Sequence, residues 1–361
     1  MLVMMMLLFL LLDVGVYLYY VLYYYLLYHQ QVYALYAELS LPIGHLFDAK
    51  IGSRYERTEI NSFYSNAGQQ PKTPGYNTLV PSIYFLRKLS DNQTLKLSYS
   101  KRIERPGYED LNPFVNTADP KNVSAGNPYL KPEIGHRIEL AYNHDYRQKG
   151  SFMITAFYRV NDNDIQPYTA VYPSLKIGDS VYTNIAVNTR ENIGVEHNVG
   201  ISFFGTLKAT DKFSLRTNIF FFRRHIVNGI DSGRSPISYN YRFNLNATYQ
   251  FNKDLSAEFF GNFNSARNEL QGKYPSFTSY TLAARKQLWN KKASIAVTAT
   301  NIFSEYVNQH TVLYGTNFVT NSLRKIPFRS IGLNFTWKFG KLEFKKDNGD
   351  RESNAQEENA Q

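Results

Sequence analysis

Residues 237–251 read Ile-Ser-Tyr-Asn-Tyr-Arg-Phe-Asn-Leu-Asn-Ala-Thr-Tyr-Gln-Phe. Every odd-numbered position is apolar or aromatic, and every even-numbered position is polar. Successive side chains of a strand point to opposite faces, so this stretch predicts a strand with one apolar and one polar face. It is longer than the usual strand of about five or six residues and suits a tilted strand that crosses a bilayer. An unbroken polar face of Arg, Asn and Gln is typical of a strand between lipid and a wet lumen.

The same alternation recurs along the chain, for example where Phe335, Trp337 and Phe339 interleave with polar residues near the end. The candidate strands are 31–40, 47–58, 78–89, 93–103, 135–146, 151–168, 180–206, 212–226, 237–251, 254–264, 277–288, 293–303 and 328–339. This pattern predicts an all-β protein, namely a transmembrane antiparallel β-barrel with about 12 to 14 strands in this chain.

The connections between these strands alternate between short and long. The short ones are 90–92, 147–150, 207–211, 252–253 and 289–292, and the long ones are 59–77, 104–134, 227–236 and 304–327. Outer-membrane barrels have short periplasmic turns and long extracellular loops. If strand 31–40 runs towards the periplasm, every short turn falls on the periplasmic side.

The composition agrees with a membrane barrel and limits the classes of partner that we expect. The chain has 361 residues, 29 Tyr, 25 Phe and no Cys, and its mean hydropathy is −0.39 because half of each strand is polar. The net charge of +10 comes from dispersed Lys and Arg, so we do not expect nucleic acid as a partner. A cationic lumen, or a rim that contacts lipopolysaccharide phosphates, fits the charge better.

The two ends differ from the region between them. Residues 1–30 begin with a wholly apolar run, but Asp13 interrupts it and the first basic residue is Lys50. This segment is either a signal or anchor, or an atypical start in which 17–28 add one more strand. Residues 31–340 form the predicted barrel region, and the polar residues 341–361 are predicted to be a disordered periplasmic tail.

The most specific motif lies in residues 98–134. Its residues are Arg105, Pro106, Tyr108, Leu111, Asn112, Pro113 and Phe114, followed by Gly126, Asn127, Pro128, Leu130, Pro132 and Glu133. This stretch resembles the R-P-x-Y-x-x-L-N-P-F … G-N-P-x-L-x-P-E signature of the outer-membrane β-barrel family, found at the C-terminal end of TonB-dependent-receptor-like proteins. Residues 33–36, 54–58, 79–82 and 301–303 resemble further segments of that family.

The resemblance implies a receptor that imports a surface ligand through a plugged barrel of about 22 strands. The implied partners are outer-membrane lipid and lipopolysaccharide, a plug domain, the TonB system and an unknown extracellular ligand. This chain shows neither a plug nor a TonB box, and it has too few strands for such a ring. We therefore expect the C-terminal barrel portion of a receptor. The alternative is a plugless outer-membrane channel, adhesin or structural barrel protein.

The chemistry of the signature favours an ordered outer loop over direct ligand contact. The residues before Pro106 and Pro113 are forced into extended or turn geometry, and residues 126–128 predict a turn. Asn112 and Asn127 can bond nearby backbone, while Tyr108, Phe114 and Tyr129 can pack the loop onto the rim. The sequence assigns no ligand-binding residue.

Catalytic and metal-binding patterns are weak. Residues 162–164 read Asp-Asn-Asp but lack the Gly and the distal Glu of a calcium loop, so we expect a solvated strand end. There is no G-x-S-x-G motif and no nucleophile–base pair, so we expect neither an enzyme nor a cofactor. Arg190, Glu191 and Glu196 are predicted to be lumen-facing polar groups on a strand.

The sorting of connections predicts the orientation in the membrane. A cysteine placed at Asn116 should react with an impermeant thiol reagent on whole cells, whereas one placed at Ser353 should react only after the cells are opened. Labelling at position 353 but not at 116 on intact cells would refute the orientation.

Overall fold

The chain folds almost entirely into strands. The structure is a computed structural model that describes residues 8–21, 24–44, 47–65, 75–230, 233–315 and 317–339. In chain order the strands are β1 (Leu8–Val21), β2 (Tyr24–Ile43), β3 (Phe47–Tyr64), β4 (Tyr76–Ser90), β5 (Gln93–Glu104), β6 (Asn122–Ser124), β7 (Glu133–Asp145), β8 (Gly150–Asp162), β9 (Ile165–Ile177), β10 (Ser180–Asn192), β11 (Gly194–Lys208), β12 (Phe213–Asn228), β13 (Ile237–Gln250), β14 (Leu255–Asn264), β15 (Arg267–Glu269), β16 (Gly272–Tyr274), β17 (Phe277–Leu288), β18 (Ala293–Thr300), β19 (Tyr306–Gly315), β20 (Phe318–Pro327) and β21 (Ser330–Trp337). One helical turn, α1, covers Tyr108–Leu111, and a 3-10 turn covers Arg147–Lys149. None of the helices in these ranges is long and apolar enough to cross a membrane.

Fourteen strands form one sheet, which we call the wall. Its order is β1-β2-β3-β4-β5-β7-β8-β11-β12-β13-β14-β17-β18-β21, and each pair is antiparallel. The predicted class and strand number are therefore confirmed. Within the described ranges the wall is an open sheet with β1 and β21 at its edges. The strand Leu8–Val21 precedes the first candidate strand, 31–40, and pairs with β2.

The strand register separates the wall into an apolar and a polar face. One cross-strand row in the middle of the wall contains Leu97, Leu140, Ala156, Ile201, Phe221 and Tyr241. A row on the opposite face contains Ser100, Arg137, Arg159, Asn198 and Arg224. Phe221 and Tyr241 are about half exposed, at 50% and 49%, which is typical of residues that face lipid rather than a core. The two faces predicted for 237–251 are thus confirmed.

Two predicted strands each divide into two. Strand 151–168 breaks after Asp162, and strand 180–206 breaks before Gly194. Asn163 and Gly194 have φ angles of 57° and 125°, far from the extended backbone of a regular strand. A Cβ at Gly194 would lie 2.3 Å from the carbonyl oxygen of Val227, so the ladder can approach this closely only at a glycine. The alternation of side chains continues through the break before Gly194, which is why the sequence pattern missed it.

The remaining elements lie at the end of the wall where the long connections are, and we call them the rim. The rim contains α1, a three-stranded sheet of order β6-β10-β9 and a four-stranded sheet of order β15-β16-β19-β20. The predicted long connection 304–327 lies in the rim, and it contains a hairpin formed by β19 and β20. In the described ranges the turns at the opposite end of the wall, such as 91–92 and 209–212, are short, so the sorting of connections is confirmed there. The predicted tail 341–361 and residues 66–74 of the predicted loop 59–77 lie outside the described residues.

The two faces predict opposite responses to an added charge in the middle of β13. Leu245, on the apolar face, lies opposite Thr217 and Gly261, and Asn246 lies on the polar face. Leu245→Arg should lower the free energy of unfolding in lipid vesicles by roughly 2–4 kcal/mol, because lipid cannot solvate the charge. Asn246→Arg is the matched control and should be nearly neutral. Equal losses in the two variants would show that the faces are assigned wrongly.

Candidate functional site

Arg105 ties the signature loop to the wall. Its guanidinium donates to the Thr58 hydroxyl, with Nη2 at 2.9 Å and Nε at 3.2 Å, and it forms an ion pair with Glu56. Glu56 is buried and also pairs with Arg54 at 2.8 Å. The R-P motif and residues 54–58 are far apart in sequence, yet they form one network. Glu56 and Thr58 project from the polar face of β3, so the loop lies over that face.

An apolar cluster holds the loop in the same place. Leu111 of α1 and Leu130 are 1% and 3% exposed, and they pack with Tyr28 and Tyr64 of the wall. Phe114 and Tyr108 pack against this cluster, and the rings of Tyr64 and Phe114 meet edge-on at 6.4 Å. Pro106 and Pro128 are buried, whereas Pro113 and Pro132 are partly exposed. Tyr129 is 73% exposed, so the prediction that it packs the loop onto the rim is wrong.

Two asparagines shape the loop through backbone bonds. The Asn112 side chain accepts from the Phe114 amide at 3.2 Å, and the Asn127 side chain accepts from the Tyr129 amide at 3.0 Å. The backbone amide of Gly126 donates to the Asn112 carbonyl at 2.7 Å. This backbone bond joins the two halves of the motif. The two side-chain bonds form Asx turns, which stabilise irregular segments.

The loop is also joined to the hairpin of β9 and β10. Asn127 Nδ2 lies 3.0 Å from Glu191 Oε2, and Asp110 forms an ion pair with Arg190 at 2.7 Å. The amide of Ile165, the first residue of β9, donates to Glu133 Oε1 at 2.6 Å. Arg190 and Glu191 were predicted to face the lumen from a strand of the barrel. That prediction is wrong, because the break before Gly194 places both in the rim.

Arg224 forms a second tether, which the sequence did not reveal. This side chain is 8% exposed and donates to Glu196 of β11 at 2.6 Å and to Glu269 of β15 at 2.9 Å. Its Nη1 also donates to the Asn268 carbonyl at 2.7 Å. Buried charges are tolerated only when paired and hydrogen-bonded, so this clamp fixes the four-stranded rim sheet to the wall. In the sequence, the one signal for a charged partner is that Arg224 lies on the polar face of β12.

Asp164 lies in the turn between β8 and β9 and is only 4% exposed. The prediction of a solvated strand end is therefore wrong for Asp164: Gln166 donates to its carboxylate at 2.9 Å, and its backbone bonds to Ile193 and Gly194. Burial raises the pKa of its carboxyl to about 7, and the nearby carboxylates of Glu196 and Glu133 act in the same direction. Among the described residues, no group of three or more His, Cys, Asp or Glu side chains could hold a metal ion.

Residues 20–337 match the outer membrane protein β-barrel family. The chain belongs to this family. Family membership places the chain in the cell outer membrane, with its apolar face towards lipid and its polar face towards the lumen. No curated protein sequence matches the chain.

Solved structures with the same fold are TonB-dependent receptors. The copper transporter OprC is 14% identical, with a TM-score of 0.61, over 86% of this chain and 50% of its own. The ferric yersiniabactin uptake receptor FyuA from Yersinia pestis is 14% identical, with a TM-score of 0.60, over 88% of this chain and 47% of its own. The FrpB iron transporter from Neisseria meningitidis (F5-1 variant) is also 14% identical, with a TM-score of 0.58, over 87% of this chain and 46% of its own. This chain thus spans about half the length of these receptors.

Gly126 is the tightest point of the signature loop. A Cβ at this position would lie 2.6 Å from the carbonyl oxygens of Asp110 and Asn112, and these backbone atoms cannot move independently. Gly126→Ala should therefore destabilise the loop by about 1–3 kcal/mol, measured as faster protease cleavage within 105–132 in the folded protein.

Gly107→Ala in the same loop is the control. Gly107 has a φ of −68°, and the nearest atom to its added Cβ is the flexible Asp110 Oδ2 at 3.5 Å. Cleavage that increases equally in both variants would contradict the close-approach argument.

Proposed function

We propose that this chain is the C-terminal barrel portion of a TonB-dependent-receptor-like protein that binds a surface ligand and imports it. The observation that carries the proposal is the inward position of the signature loop. Arg105 reaches Glu56 and Thr58 on the polar face, and Leu111 packs on Tyr28 and Tyr64 of the same face. The loop therefore covers part of the lumen mouth instead of extending away from the membrane.

A loop that lies in the mouth of the lumen is well placed to bind a ligand before the ligand enters the lumen. The loop is held on one side by β3 and on the other by the β9–β10 hairpin. Gln271 extends the connection, since it exchanges hydrogen bonds of 2.7 and 2.8 Å with the backbone of Thr169. The rim thus forms a linked surface in which ligand contacts from different loops can be combined.

The plug domain and the TonB system belong to the proposal as partners. The wall has an edge at β1 and another at β21, and an edge in lipid leaves backbone groups unsatisfied at several kcal/mol each. Further strands from the rest of a receptor would close the ring, and a domain inside it would block passive flow. The proposed role is binding and transport without catalysis. Lipid and lipopolysaccharide would cover the apolar face.

The test compares the chain with the complete receptor. Cells that carry only residues 1–361 should not accumulate labelled siderophore, glycan or peptide in an energy-dependent manner, because nothing in the chain is proposed to contact TonB. Cells with the complete reading frame should accumulate one of these ligand classes. Energy-dependent uptake by residues 1–361 alone would contradict the proposal and favour a self-sufficient channel.

A further inference from the structure

We propose that the lipid-facing side of the wall carries a site for a phosphorylated glycolipid of the outer leaflet, the lipopolysaccharide anchor. The site consists of a row of basic side chains near the rim end of β5 to β12, one row below the row of Ile103 and Val227, and an apolar groove directly below the basic row. The proposal rests on the proposed contact between lipopolysaccharide and the apolar face, which it assigns to particular residues, and it does not depend on ligand import.

The basic row follows from the strand register. Lys101 lies opposite His136, which neighbours Val160, and Val160 neighbours His197, which lies opposite His225. Alternation places all of these side chains on the apolar face. In each strand they lie two residues nearer the rim than the row that contains Tyr158 and Val199. Arg223 belongs to that second row and adds another cation.

The row is at the correct depth for lipid headgroups. Apart from Arg223, the next two rows towards the short turns are apolar or aromatic and include exposed residues, with Ile138 at 47%, Val199 at 47% and Ile201 at 55%. Aromatic hydroxyls mark the boundary, since Tyr99 bonds His136 at 3.0 Å and Tyr158 bonds His197 at 2.9 Å. Tyr at the boundary between a basic row and an apolar band is typical of a membrane interface.

The groove gives the acyl chains a place to lie. It has a volume of about 610 Å³ and is lined by Leu140, Ala156, Tyr158, Ile201, Phe221 and Arg223. The groove exists because Ala156 is a small residue between Leu140 and Ile201 in its row. Arg223 stands at its rim end, so a phosphate above and an acyl chain below could be bound together.

Charge complementarity decides in favour of a phosphorylated lipid. Lys101 and Arg223 are cations at any physiological pH, and the three histidines add donors. An acidic residue, Asp162, contacts this row, and its carboxylate is 3.8 Å from His136 Nε2. A zwitterionic phospholipid offers one phosphate already balanced by its own amine. A doubly phosphorylated glycolipid offers two unbalanced phosphates and several acyl chains.

The experiment measures lipid retention by the folded protein of residues 1–361. The protein is incubated in phosphatidylcholine bilayers that contain either lipid A or dephosphorylated lipid A, and the glycolipid that copurifies is quantified by mass spectrometry. Wild type should retain more lipid A than dephosphorylated lipid A. The double variant Lys101→Gln/Arg223→Gln should lower lipid A retention about tenfold, since each cation near an anionic surface contributes separately.

Two further variants separate the basic row from general effects. Arg102→Gln/Arg216→Gln removes the same charge from the same two strands but on the polar face, and should leave retention unchanged. Ala156→Leu fills the groove without changing charge and should also lower retention. Equal retention of the two glycolipids by wild type would overturn the proposal, even if a variant failed to fold. Equal losses in the two double variants would overturn it as well.

Discussion

The backbone hydrogen-bond ladder is the constraint on which the rest of this structure depends. In a bilayer no water can satisfy a free amide or carbonyl, so every strand must be flanked by two others. The antiparallel order of the wall meets this requirement for every wall strand between β1 and β21, since neighbouring strands are joined by turns or by rim elements. Once the ladder is set, the two faces, the two ends and the positions of the loops are set with it. The rim can then be irregular because it lies beyond the lipid.

The rim is held by a small number of polar tethers instead of a large core. Arg105 with Glu56, and Arg224 with Glu196 and Glu269, each join a loop to a wall strand through charged groups that are mostly buried. Small apolar clusters around Tyr64 and Ile226 accompany them. Such pairs contribute geometric specificity more reliably than net stability. The loops thereby gain defined positions over the lumen without the rigidity of an extended hydrophobic interior.

The sequence predicted the wall well because its information is local. Alternation over 237–251 is sufficient to assign both faces, and the lengths of connections are sufficient to sort the two ends. The rim was harder to predict because its determinants are distant in sequence. Nothing near Arg224 points to Glu269, and the alternation of side chains runs through the break at Gly194. The residues of β19, such as Thr311 and Val312, carried a strand signal that their position between two predicted strands obscured.

The strict two-residue repeat of the wall has a consequence for how the length of this chain can vary over evolution. Inserting one residue in the middle of a strand such as β12 would turn Phe221 inwards and Arg224 outwards, along with every residue that follows in that strand. Only pairs of residues could be added there, or single ones absorbed by a bulge. The hairpins of the rim carry no such parity requirement. Related chains should therefore differ in length chiefly above the membrane, so that new surfaces can arise there while the strands beneath keep their register.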